Sequence, residues 1–331
     1  MKILVTQPTG FVRETFFPSD IVKKMESLGQ VTWNTSEKQF SDDELKEKIK
    51  NTEVCISGWG CRRFDENILK DSNKLRLIAH TGGSVAGIVS EYLYEKGIKI
   101  ISGNWIFAES VAEGVIAYIL CSLRQLPFYS NAVQAGQWRK EQYFNEGLLN
   151  QTMGLVGFGM VSRYLVKMLT PFNVKVKVYD PYITDEVCLE HGVERSSLED
   201  IFSASKIISI HAPKTPDTYH MIGSKLLKSI PDGALLINTA RGSLIDEEAL
   251  SEELQKNRFK ALLDVFEVEP LPSDSKLIGL PNVILIPHMA GPTVDRRKIV
   301  TSALIEEIEN FFSGKALKYE INKSYAMVMT H

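Results

Sequence analysis

The chain has 331 residues, 44% of them apolar and 24% charged, with 38 Lys and Arg against 41 Asp and Glu. At roughly 150 residues per domain this length predicts two domains, and the composition is that of a folded protein with buried cores rather than a disordered or fibrous one. The near balance of charge, with Arg296-Arg297-Lys298 as the longest basic cluster, excludes a nucleic-acid-binding footprint.

The opening MKILVTQP carries too short an apolar run for a secretory signal, and no run of about 18 apolar residues is evident, so the expectation is a cytoplasmic protein with no membrane partner. Cys55, Cys61, Cys121 and Cys188 form none of the close pairs that zinc or a dithiol redox centre requires. Reduced thiols and no metal are expected.

Along the first hundred residues, short apolar runs at Lys2 to Thr6, Val54 to Ser57, Leu75 to His80 and Ile98 to Ser102 alternate with helical patterns. Strand-helix alternation predicts a parallel sheet. Ser19-Asp20 open a helix that a capping Gly29 closes, and Ser41 with Glu44 forms a capping box. His80 and the loop after it end a strand, where Gly82, Gly83 and Ser84 either present N–H groups to a substrate carboxylate or form an ordinary glycine turn. From Phe107 to Leu126 a longer helix is apolar around most of its circumference. It belongs between domains, at a subunit interface, or inside one domain.

A second alternating series follows, with strands predicted at Met153 to Val156, Val174 to Tyr179, Lys206 to His211, Ala234 to Asn238, Ala261 to Asp264 and Val283 to Ile286. Six strands with intervening helices fit a doubly wound α/β sheet. A last helix spans Val294 to Phe312, and pattern alone does not fix the domain it packs on.

The first strand of this series runs into Gly157-Phe158-Gly159 and then an amphipathic helix, a GxGxxG-type turn with Ser162 in the third place. Gly157 permits the sharp turn, Gly159 permits backbone to approach a pyrophosphate, and the helix N-terminus favours negative charge. Asp180 lies about 20 residues on, at the end of the next strand, where a carboxylate accepts hydrogen bonds from ribose hydroxyls and repels a 2′-phosphate. The predicted cofactor is therefore NAD rather than NADP.

Three further strand ends carry Arg241 in INTARGSLID, Asp264 and Glu269 in LLDVFEVEP, and His288 in LIPHMAG. Carboxyl ends of strands in an open parallel sheet face the ligand crevice. Reduction of a 2-keto acid requires a proton donor for the carbonyl oxygen, which His288 supplies, and a cation for the carboxylate, which Arg241 supplies. Glu269 bonded to the other imidazole nitrogen orients the ring and favours its charged form. His211, also after a strand, is assigned to cofactor packing.

These motifs resemble the D-isomer-specific 2-hydroxyacid dehydrogenases, which include phosphoglycerate, glycerate, glyoxylate and D-lactate dehydrogenases. GLVGFGMVSRYL, VYDPY, HAPKTPDT, LLINTARGSLIDEEAL, LDVFEVEPLP and IPHMAG occur in that family's order and spacing. The resemblance implies that Arg241 binds and polarises the keto acid, that His288 is the acid/base with Glu269 as its partner, and that Asp264 contacts the nicotinamide end of the cofactor. It places Gly157, Phe158, Gly159, Met160, Val161, Asp180, His211, Ala212, Pro213, Thr218, Thr239, Ala240, Arg241, Asp264, His288 and Gly291 along NAD. It also implies a Rossmann NAD-binding domain at residues 104–292, inserted into a flavodoxin-like substrate domain made of residues 1–103 and 293–331, and a homodimer.

Two departures stand out: Ser162 replaces a glycine the family often keeps, and the loop HTGGSVAG replaces a GVG-like turn. Formate dehydrogenases of this fold carry an amide where this chain has Glu269. The reaction expected is interconversion of a small D-2-hydroxy acid and its 2-keto acid. The alternatives are an NAD(H)-sensing protein of the same fold without significant turnover, and a reductase of non-carboxylate carbonyls, which has no need of Arg241.

Overall fold

The computed structural model describes residues 1–138 and 145–330. The chain divides into two compact units, Met1–Ala108 with Pro292–His331, and Glu109–Gly291.

The first unit is built on a five-stranded sheet of β1 (Lys2–Val5), β2 (Gln30–Trp33), β3 (Val54–Ser57), β4 (Leu77–His80) and β5 (Lys99–Ser102). Every pair is parallel and the order is β2-β1-β3-β4-β5, the flavodoxin-like order. Such a sheet must be covered on both faces, which is why its central strands are apolar throughout. One face takes Leu45 and Ile49 from the helix Asp42–Ile49 and Leu93 from Glu91–Glu95. The other takes Ile21 and Met25 from Ser19–Leu28 and Val300, Leu304, Ile305 and Ile308 from Val294–Phe312. The last helix thus packs on the first unit.

One expectation is corrected here. β2 adds a fifth strand: at the sheet edge its side chains are only partly covered, so QVTW shows no apolar run. The first unit's second helix opens at Ser19-Asp20 as expected, with Pro18 at its N-cap. Gly29 is its C-cap as expected; its backbone there is extended, and a Cβ would lie 2.0 Å from the Met1 carbonyl oxygen. Close approach of the strand end is what demands glycine. The Ser41–Glu44 capping box forms as expected.

The second unit carries a seven-stranded parallel sheet of β6 (Thr152–Val156), β7 (Lys175–Tyr179), β8 (Glu194–Arg195), β9 (Ile207–Ile210), β10 (Leu235–Asn238), β11 (Lys260–Leu263) and β12 (Val283–Leu285), in the order β12-β11-β10-β9-β6-β7-β8. The six expected strands are present, and β8 is an additional two-residue edge strand. This is the Rossmann order, with its reversal between β6 and β9, and ligands of such sheets bind beyond the carboxyl ends there.

The long apolar helix spans Asn104–Leu123, starting and ending three residues earlier than the pattern indicates. By length and composition it is apolar enough to cross a membrane, which corrects the expectation that no such stretch exists. It carries Glu109 and Glu113, and Ala112, Val115, Ile119 and Leu123 are buried in the core of the second unit against β6. From Glu109 on it is a core helix of that unit, while its first turn, with Ile106 buried, belongs to the first unit. All four cysteine thiols are free, and burial pushes each of them up, Cys61 to about 11.

Candidate active site

The turn after β6 is fixed by the missing side chain of Gly157. Its φ is +95°, and a Cβ would sit 2.8 Å from the Ala212 nitrogen at the end of β9. Gly159 differs: no protein atom lies within 4 Å of where its Cβ would be, so the open side of the turn is free for a ligand to approach. Ser162, fully buried in the helix Met160–Leu169, donates its hydroxyl to the Gly157 carbonyl at 2.7 Å. The serine in the third glycine position is therefore a brace for the turn. Phe158 is buried in the core beneath, and its N–H donates to Asp180 Oδ2 at 2.8 Å, while Asp180 Oδ1 accepts from Tyr182 N–H at 2.8 Å. Each oxygen retains a lone pair for a ribose hydroxyl.

After β9, His211 bonds Ser209 through Nε2 at 2.9 Å, and burial pushes its imidazole down to about 4. Ala212 is buried beneath Gly157, and Thr218 closes the loop by donating to the Pro213 carbonyl at 2.7 Å. After β10, the buried Asn238 accepts from Ala240 N–H at 3.0 Å and donates to the Arg241 carbonyl at 2.9 Å. Sequence reasoning passed over Asn238; its signal is a polar residue closing the apolar strand LLIN. Thr239 is buried, and its Oγ1 has no hydrogen-bond partner. A buried hydroxyl without a partner at a strand's carboxyl end suits a ligand rich in hydrogen-bonding groups. These residues fit a dinucleotide.

Arg241, Glu269 and His288 come together. Glu269 accepts His288 Nδ1 at 2.7 Å through Oε2 and Phe266 N–H at 3.0 Å through Oε1. Burial opposes its charge, but the His288 and Phe266 bonds, with the charges of His288 and Arg241, outweigh it and hold Glu269 below its ordinary value. Arg241 is desolvated, which lowers its pKa, and Glu269 opposes that shift. Its Nη1 donates to the Ala240 carbonyl at 2.6 Å. Gly242 allows this loop to lie against the next one, since a Cβ there would fall 1.9 Å from the Phe266 carbonyl carbon.

His288 has φ +53°, a left-handed conformation uncommon for a residue with a side chain and frequent at functional sites. Its N–H donates to the carbonyls of Asp264 at 2.9 Å and Ile286 at 3.0 Å, and its ring is about half exposed. The Asp264 carboxylate, 1% exposed, accepts from Met289 N–H at 2.7 Å, Ala290 N–H at 3.0 Å and the Tyr118 hydroxyl at 3.2 Å. Its engagement with the backbone just before Gly291 is a feature the motif LLDVFEVEP does not reveal.

In the first unit, Gly82 lies where a Cβ would meet His80 Nε2 at 2.3 Å, and His80 is itself buried, bonded through Nδ1 to Ser57 at 3.0 Å. Gly83 faces Phe107. The Ser84 hydroxyl donates to the Thr330 carbonyl at 2.6 Å and accepts from Ala86 N–H at 3.2 Å, so both its roles are taken within its own unit.

Residues 116–290 match the NAD-binding domain of the D-isomer specific 2-hydroxyacid dehydrogenases. The chain is 32% identical over 324 residues to a D-3-phosphoglycerate dehydrogenase of Methanocaldococcus jannaschii, covering 97% of this chain and 59% of that protein. It thus spans 59% of that relative's length. It is 34% identical over 278 residues to a hydroxypyruvate reductase of Thermotoga maritima, covering 83% of this chain and 89% of that one. The D-lactate dehydrogenase of Escherichia coli shares the fold, with a TM-score of 0.75 at 22% identity over 97% of this chain and 100% of that one. The chain belongs to the D-isomer specific 2-hydroxyacid dehydrogenase family, and its second unit holds that family's NAD-binding domain.

Proposed function

We propose that this protein is an NAD-dependent oxidoreductase that interconverts a small D-2-hydroxy acid and its 2-keto acid, with His288, Glu269 and Arg241 as its working residues. The observation that carries the reading is the 2.7 Å bond between His288 Nδ1 and Glu269 in the electrostatic reach of Arg241. With Nδ1 bonded to the carboxylate, the ring is oriented and Nε2 is the atom that exchanges a proton with the substrate oxygen. Arg241 is a fixed cation whose partial desolvation strengthens its attraction for a substrate carboxylate. NAD, when bound, supplies or accepts the hydride.

Gly157, Gly159 and the first turn of the following helix hold the pyrophosphate in this reading. Asp180 selects NAD by accepting from the ribose hydroxyls. The first unit supplies the substrate domain, with Gly82 and Gly83 offering backbone groups and Ser84 shaping the loop rather than binding directly. The name of the Thermotoga maritima relative supports a short polar substrate such as hydroxypyruvate. The protein works in the cytoplasm as a homodimer, a reading supported by the exposure of the apolar Leu126, Phe128, Val133, Trp138 and Leu149, each at least half exposed.

The test is NADH oxidation by purified protein against glyoxylate, hydroxypyruvate, pyruvate and longer 2-keto acids, repeated with Arg241→Ala. Turnover that the variant loses supports the reading. No turnover by the wild type with any keto acid, beside intact NADH binding, would replace it with a sensing role.

A further inference from the structure

The region around Asp264 contains one group that the reaction does not use. Tyr118 sits on the helix Asn104–Leu123, and its hydroxyl donates to Asp264 Oδ1, the oxygen that also accepts Met289 N–H. We propose that Tyr118 is a positioning residue for His288, completing the donor set of the Asp264 carboxylate that clamps the His288–Ala290 turn. The inference rests on the assignment of His288 as the acid/base.

Three contacts fix this turn from one residue. The Asp264 carbonyl takes the His288 N–H, and its two carboxylate oxygens take the N–H groups of Met289 and Ala290. The turn needs such a clamp, because His288 is held at φ +53° with its ring about half exposed, where packing alone does little to restrain it. The clamp is strongest while Asp264 is ionised, since protonation turns one oxygen into a donor and reduces its acceptor capacity. Asp264 is buried, and an isolated buried carboxylate drifts towards the neutral form.

The titratable groups that bear on Asp264 are Tyr118 and His288. Burial pushes Asp264 upward, and the donors from Ala290, Met289 and Tyr118, with the charge of His288, work against that rise. Tyr118 is the donor contributed by a different element. Burial, then the neighbouring Asp264, pushes its own phenol up, so it stays protonated and able to donate at any working pH. Phenylalanine keeps the ring and removes only this donor.

The experiment follows the turn directly. Protein labelled with 15N-methionine reports the Met289 amide, identified by its loss in Met289→Leu, as pH is lowered in wild type, Tyr118→Phe and Asp264→Asn. In Tyr118→Phe the midpoint of that amide's titration should move upward by about one pH unit, the effect of one lost donor to a carboxylate. The acid limb of kcat should move with it, lowering kcat about 10-fold on that limb while KM for NADH stays within about twofold. An unchanged midpoint in Tyr118→Phe, or a wild-type titration that persists in Asp264→Asn, would overturn the proposal. If wild type turns over no keto acid, the functional reading fails, and the amide titration still decides whether Tyr118 governs the turn.

Discussion

Replacing Glu269 by Gln removes a charge and keeps a shape. The single amide oxygen can still accept from His288 Nδ1, but the NH2 group then faces the Phe266 N–H, so the variant removes the charge together with the Phe266 contact. A hydrogen bond with a charged partner contributes about 1.5–3 kcal/mol. The two side chains are 49% and 36% exposed, which places the pair in partly screened surroundings. Discounting for that leaves about 1–2 kcal/mol at the point where His288 must carry a proton. At about 1.4 kcal/mol per decade, kcat/KM for reduction should fall about 5- to 30-fold. Initial rates of NADH-dependent keto-acid reduction measure this, with NADH affinity followed separately by fluorescence. A value within about twofold of wild type, or a loss explained wholly by weaker NADH binding, would refute the role given to the pair.

Gly157→Ala should lose NADH affinity by about 10-fold or more and lower the melting temperature, since φ is +95° and the Cβ would press on the Ala212 backbone; normal NADH binding would remove the turn from the cofactor site. Asp180→Ala should raise the use of NADPH relative to NADH, and an unchanged ratio of kcat/KM values would mean that another group reads the ribose. His80 is buried and pushed down from 6.5 to about 4, so the unfolded chain binds a proton that the folded one refuses between those values. Stability from this group is full above that window and is lost as pH falls through it, by up to about 3 kcal/mol. Urea unfolding at pH values on either side, in wild type and His80→Gln, tests this, and equal pH dependence in both would disprove it.

Much of this molecule is legible in its sequence because central parallel strands must be apolar on both faces. The expected strand runs through Met153 to Val156, Ala234 to Asn238 and Ala261 to Asp264 therefore fall within a residue or so of β6, β10 and β11. Two of the four edge strands, β2 and β8, are not legible. In β2 only Val31 and Trp33 are apolar, alternating with exposed residues, and both residues of β8 are exposed, so neither strand forms a continuous apolar run.

The cluster of Arg241, Glu269 and His288 is legible because topology collects strand ends, but the left-handed backbone of His288 and the grip of Asp264 on the residues after it are not. They depend on distances between loops that no spacing encodes. Tyr118 is hidden in another way. Within an apolar helix, a tyrosine reads as one more core residue until its hydroxyl is found on Asp264.

The discontinuity of the first unit shapes how the protein is made. Chains emerge from the ribosome N-terminus first, and domains generally fold as units. The second unit is continuous and can close once residue 291 has emerged. The first cannot. One face of its sheet, including Ile3, Val5, Ile56, Leu77 and Ile101, is covered by Val300, Leu304, Ile305 and Ile308 from nearly the other end of the chain. Until those residues are synthesised, that apolar face is covered only in part, by Ile21 and Met25 of the helix Ser19–Leu28. The last helix therefore acts as a closing piece, and truncations before it should yield protein that aggregates through the first unit even when the second has folded.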